Sequence, residues 1–136
     1  MASPRFLDTN VLIRAFVDGE HGVGERARLL LDRIYQGDER VVTSQLVIFE
    51  TIFTLQRSYH VSREKIRDII TDLLSIQNID IEDRTLILDA LNIYVNYSIS
   101  FVDAHHIASM SVLNISEIYS WDRDFDRFPS VTRIEP

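Results

Sequence analysis

The chain predicts an α/β fold, a parallel sheet with helices packed on both faces. Short β-like runs alternate with helical patterns along its whole length. Acids stand just past the ends of two of those runs, where sheets of this class present their ligand sites. The length of 136 residues, with 46% hydrophobic and 26% charged content, predicts one globular domain, 1–136, with a core large enough to fold unaided.

Arg5-Phe6-Leu7 reads as a first strand and Asn10 to Phe16 as a helix. Gly19, Gly22 and Gly24 cluster between residues 18 and 25 and predict a mobile loop. From Glu25 to Gln36, Ala27, Leu30, Leu31, Ile34 and Tyr35 recur at helical spacing, and Gly37 is a natural stop. Val41-Val42-Thr43 reads as a second strand. Ser44 caps a helix to about Ser58, and Ser62 caps another through Leu74. Ile79-Asp80-Ile81 is a short strand. Asp83 to Tyr97 and Phe101 to Leu113 are helical, Glu117 to Ser120 is a strand, and a turn leads to a last strand near Val131 to Ile134.

Composition removes several classes of function. Without cysteine there is no disulfide framework, no thiolate nucleophile and no Cys-based zinc or iron–sulfur site. No apolar run approaches the ~20 residues of a membrane helix, and the first residues do not read as a signal peptide, so a cytoplasmic protein with no membrane partner is expected. The net charge of −7 argues against binding nucleic acid by bulk electrostatics. Bound metal would neutralise part of that charge, and 13 of the 14 basic residues are Arg, whose planar fork suits a local phosphate-binding rim.

Four carboxylates sit in or beside apolar segments: Asp8, Glu50, Asp103 and Asp122. No basic residue recurs beside them at a fixed offset, so ion pairing does not explain the set. If they converge, each pair at ~4 Å repels by ~4 kcal/mol at an effective dielectric constant of ~20. A site of that kind holds a cation, and all-carboxylate ligation selects a hard one such as Mg²⁺ or Mn²⁺. Each acid also has a plainer role open to it. Asp8 suits a helix cap, although Thr9 and Asn10 compete for that task. Glu50 lies at the edge of an apolar stripe with Leu46, Val47, Phe53 and Thr54, which predicts a half-buried carboxylate or one reaching to water. Ser100 and Asp103 resemble a capping box. Asp122 shares its turn with Asp124 and Asp126, and the sequence leaves open which of the three approaches a metal. His105 and His106, ~100° apart on a helix, predict one partly buried and one exposed ring rather than a zinc pair. Trp121 and the tyrosines read as core or rim rather than base-stacking platforms.

Together these segments resemble the PIN domain, and within it the VapC-type ribonuclease toxins, over nearly the whole chain. Phe6-Leu7-Asp8-Thr9-Asn10-Val11-Leu12-Ile13 is similar to the family's first motif. Val42-Thr43-Ser44-Gln45-Leu46-Val47 leading to Glu50 is similar to the second, Phe101-Val102-Asp103-Ala104-His105-His106-Ile107-Ala108 to the third, and Ser120-Trp121-Asp122-Arg123-Asp124-Phe125 to the fourth. Ser120 stands where a Thr is frequent.

The resemblance implies a five-stranded parallel sheet and a Mg²⁺- or Mn²⁺-dependent endoribonuclease. By position, Asp8, Glu50, Asp103 and Asp122 form the acidic set, with Asp124 or Asp126 as substitutes for Asp122. Thr9 or Ser120 would hold a carboxylate or water through its hydroxyl, and Asn10 would orient Asp8. Arg14, Arg123 and Arg127 are candidates for phosphate contacts. The resemblance also implies a cognate antitoxin and a homodimer, for which the helices at Ser44–Ser58 and Ser62–Leu74 offer surfaces, although their apolar stripes read as core. The absence of an added RNA-binding segment favours a toxin over a PIN nuclease of RNA processing. A degenerate PIN binding module would lack one or more of the acids. A haloacid-dehalogenase-like phosphatase needs a second Asp two residues after Asp8, where this chain has Asn10.

Overall fold

Arg5–Phe6 forms the first strand, β1, in the computed structural model, which describes residues 3–18 and 22–136. It belongs to the first of two compact units, Met1–Arg84 and Thr85–Pro136. In the first unit β1 leads to α1 (Thr9–Val17), α2 (Val23–Gln36), β2 (Val41–Val42), α3 (Gln45–Arg57), α4 (Arg63–Leu74) and β3 (Ile79–Asp80). The strands form a parallel sheet in the order β1-β2-β3, with Arg5 opposite Val41 and Val41 opposite Ile79.

Helix ends follow local chemistry. The hydroxyls of Ser44 and Ser62 accept the backbone N–H of Val47 and Lys65, satisfying donors the first helical turns leave open. Gly37 ends α2 in the left-handed region at φ +90°, where an L side chain is strained. The Asn78 amide also donates to the Ile34 carbonyl at 3.1 Å. Helix α2 begins two residues earlier than the sequence predicts. Gly22, at φ +72°, is its N-cap, and Gly24 is a first-turn residue rather than loop. Gly19 of the expected loop lies outside the described residues.

The core of this unit is aliphatic. Leu12, Ile34, Ile48, Ile52, Leu55, Ile66, Ile70 and Ile79 are all fully buried, with α1 packed on α2 and α3, and α3 on α4. Helix α4 contributes Ile66, Ile70, Leu73 and Leu74, so its apolar stripe is core, as the sequence reading favoured. The sheet is pinned beyond its two-residue strands. Leu7 N–H donates to the Val42 carbonyl at 2.8 Å, and the buried Thr43 hydroxyl donates to the Leu7 carbonyl at 2.9 Å. Arg84 donates to the carbonyls of Leu74, Ile76 and Ile79.

The second unit holds α5 (Arg84–Tyr97, starting at the boundary), α6 (Phe101–Leu113), β4 (Glu117–Tyr119), a 3-10 helix (Arg123–Arg127) and β5 (Thr132–Ile134). Strands β4 and β5 are parallel, with Ile118 opposite Arg133. Its core mixes aliphatic and aromatic groups. Tyr94 meets Phe101 edge-on at 5.9 Å between ring centres, and Tyr97 meets Phe128 at 4.4 Å.

The five-stranded sheet implied by the resemblance is therefore corrected. Among the described residues there is one three-stranded and one two-stranded sheet, both parallel. Strands of two and three residues make too few ladder bonds to define anything wider. No helix among the described residues is long and apolar enough to cross a membrane.

Candidate metal centre

In the first unit, buried Leu7 carries the chain from β1 to Asp8, which is exposed and is the N-cap of α1. Its Oδ1 accepts the Thr9 backbone N–H at 2.8 Å, and Asn10, expected to orient it, is exposed like Asp8 itself. The Thr9 side chain turns inward and is only 6% exposed. Its hydroxyl donates to Glu50 Oε2 at 3.1 Å, joining the start of α1 to the middle of α3.

Glu50 is exposed, so of the two placements its neighbours left open, half-buried or reaching to water, the second holds. The reason lies in α3. Its buried face is Val47, Ile48, Thr51, Ile52 and Leu55. Leu46 and Phe53, which share the side of Glu50, are themselves 76% and 60% exposed. Of the apolar residues flanking Glu50, Val47 faces the core and Leu46 and Phe53 do not.

In the second unit, Ser100 caps α6 by accepting the Asp103 backbone N–H at 3.1 Å, which sets Asp103 in the first turn, half-exposed. The segment after β4 is tightly wound. Ser120 Oγ accepts the Asp122 backbone N–H at 3.0 Å, and Asp122 Oδ1 accepts the Asp124 backbone N–H at 2.9 Å. The Ser120 hydroxyl thus shapes the turn, while the expected carboxylate-holding role is met in Thr9. This winding brings carboxylate oxygens of Asp103, Asp122 and Asp124 within 4.8 Å of one another. Asp126 points elsewhere, into a two-pronged ion pair with Arg133 at 3.0 and 3.3 Å.

The PIN domain model matches residues 5–131, running through both units. The chain belongs to the PIN domain family. It is similar to a VapC ribonuclease of Aquifex aeolicus, 25% identical over 123 residues and 90% of each chain. It is also similar to a VapC ribonuclease of Mycobacterium bovis and to ribonuclease VapC13 of Mycobacterium tuberculosis. Each of these is 30% identical over 113 residues, covering 79% of this chain and 82% of the relative.

In this PIN domain the three clustered carboxylates fit a hard divalent cation. All donors are oxygen, and each residue offers one oxygen at a separation an ion can bridge. Two unit charges 4.8 Å apart repel by about 1 kcal/mol in water and by about 3 kcal/mol at a dielectric constant of 20. Asp122 and Asp124 are exposed, so the lower figure applies to them.

Arg133 is the residue the sequence reading missed. Its side chain is 11% exposed, and it donates to Asp126, to Glu135 at 3.0 Å and to the Ser120 carbonyl at 3.1 Å. It ties both ends of the segment that carries Asp122 and Asp124. The hydrogen bond it donates to Asp126, and then that to Glu135, hold its pKa above the usual guanidinium value. Its only signal in the sequence was a lone Arg in the final strand.

The other expected residues are placed as follows. Arg14 pairs with Asp18 at 3.2 Å, Arg127 lies over the Tyr97 ring at 5.9 Å, and Arg123 is exposed. His105 is half-exposed, with Nδ1 3.3 Å from the Ser109 hydroxyl, and His106 is exposed.

Proposed function

We propose that this PIN domain is a divalent-metal-dependent endoribonuclease and the toxin of a type II toxin–antitoxin pair, acting in the cytoplasm. The observation that carries the reading is the Asp103, Asp122 and Asp124 cluster, on a chain whose relatives are named VapC ribonucleases. Asp103, Asp122 and Asp124 would hold Mg²⁺ or Mn²⁺. Bound there, such an ion supplies activation of water and neutralisation of phosphate charge. Asp8 and Glu50 complete the catalytic acids by their place in the family's motifs. Thr9 fixes Glu50 Oε2, which leaves Oε1 to accept a hydrogen bond. The reaction is hydrolysis: a water oxygen bonds to phosphorus, the bond from phosphorus to the 3′-oxygen breaks, and the products are a 3′-hydroxyl and a 5′-phosphate. No histidine is needed. A cognate antitoxin and a homodimer are part of the same proposal, and the exposed Leu46 and Phe53 of α3 are available to a protein partner.

The test is incubation of purified protein with total RNA, with and without Mn²⁺, beside Asp8→Ala. Cleavage is expected only with the metal, and the variant is expected to lose it by about a hundredfold or more while keeping its circular dichroism spectrum. Full metal-dependent cleavage by Asp8→Ala would sink the assignment. For the toxin role, a small antitoxin-like reading frame should lie just upstream, and its product should suppress cleavage.

A further inference from the structure

Trp121 is the sole tryptophan of the chain and is 71% exposed. It does not belong to the core, although a buried indole is worth several times a methyl group in removed apolar surface. Its backbone is fixed. Ser120 N–H donates to the Ile134 carbonyl at 3.1 Å, extending the β4–β5 pairing, and Ser120 Oγ accepts from the Asp122 backbone N–H at 3.0 Å. The ring therefore stands at the corner of a hydrogen-bonded turn, one residue from a carboxylate of the acid cluster. Tyr119, two residues earlier, is 75% exposed.

Charge gives this placement its meaning. A chain of net charge −7, with three carboxylates at the site, draws little affinity from phosphate attraction. Of the three arginines expected to meet phosphate, Arg14 is paired with Asp18 and Arg127 lies over Tyr97, while Arg123 is exposed beside Asp122. A contact that is indifferent to charge would add to what Arg123 and a bound metal supply, and an exposed aromatic beside the acids offers one, the stacking of a base.

Resting on the proposed ribonuclease reading, we infer that Trp121 is a stacking platform for an unpaired base flanking the scissile phosphate. The base it takes is an unpaired one, because a base in a duplex is already stacked on its neighbours. A single ring selects unpaired against paired RNA rather than one base against another.

The lone tryptophan makes the proposal directly readable. Its fluorescence is expected to be quenched when a single-stranded oligoribonucleotide is added to Asp8→Ala protein, and to change little with the same sequence in a closed hairpin stem. In the otherwise unmodified chain, Trp121→Ala is expected to raise KM for single-stranded RNA by roughly tenfold or more with kcat nearly kept, and Trp121→Tyr to recover most of the loss. An abasic nucleotide beside the cut should cost the unmodified protein what Trp121→Ala costs, and cost Trp121→Ala nothing further. Unaltered fluorescence at saturating RNA, or an unchanged KM in Trp121→Ala, overturns the proposal. So does a change of oligomeric state in that variant without a change in KM, which would assign the ring to a second copy of the chain. Lack of cleavage by the unmodified protein would instead count against the nuclease reading, since the quenching is measured without turnover.

Discussion

The two units handle their acids in opposite ways. In the first, Glu50 is held by a hydroxyl from buried Thr9, and Asp8 by the amide of the helix it caps. Each carboxylate is fixed by a neutral donor of the fold. In the second, Asp103, Asp122 and Asp124 face one another, and the donor that reaches Asp122 Oδ1 is the Asp124 amide inside the same cluster. The first arrangement is complete in itself. The second keeps a repulsion, modest because Asp122 and Asp124 are exposed, that an added positive charge would relieve. A neutral donor sets where a carboxylate points, whereas a cluster of like charges favours a cation beside it.

The sharpest way to break this contrast is to neutralise one clustered acid. Asp124→Asn is expected to weaken Mn²⁺ binding by at least about tenfold in calorimetry and to raise the melting temperature of the metal-free protein by on the order of 2–5 °C. Unchanged affinity would show that Asp124 is a bystander. Asp126→Asn is the internal control, because that carboxylate belongs to Arg133.

Next in size is Arg133→Met, which keeps the stem of the side chain and removes its hydrogen bonds to Ser120, Asp126 and Glu135. Mn²⁺ affinity is expected to fall by roughly tenfold, in the range seen when groups supporting metal ligands are lost. A variant that melts lower yet binds Mn²⁺ as before would reduce Arg133 to a packing role.

Smallest is Thr9→Val, nearly equal in volume but without the hydroxyl. Cleavage is expected to slow by several-fold to about tenfold, with Mn²⁺ affinity in the second unit unchanged. Loss of metal binding in this variant would erase the distinction between the units.

Much of this was legible in the chain because it is local. Ser44, Ser62 and Ser100 cap the helices they were expected to cap, since the bond spans only three residues. Gly37 stops α2 for an equally local reason. The failures share a cause too. Glu50 was left between half-buried and reaching to water, because which side of α3 meets the core is decided by the elements packed on it, not by its own sequence. Which of Asp124 and Asp126 faces Asp103 and Asp122 turned on Arg133, seven residues beyond Asp126 and paired to it. The width of the sheet depends on how many ladder bonds the short strands make, which no single strand encodes.

The sheet of the first unit has a consequence for how errors spread. The Thr43 hydroxyl that extends it reaches Leu7 across 36 residues of chain. Closing a segment of that length costs about 3 kcal/mol in entropy, and each hydrogen bond returns only about 1 kcal/mol net. The few bonds between β1 and β2 roughly cancel that cost, so the strands are kept in register chiefly by the helices that bury Leu12, Ile48 and Ile52. Asp8 leaves the end of β1, and Glu50 rides on α3 beside Ile48. A methyl group removed from either helix's inner face is thus felt first as a drift of these two acids. Mutational sensitivity of the chemistry will extend well into an interior that touches no substrate.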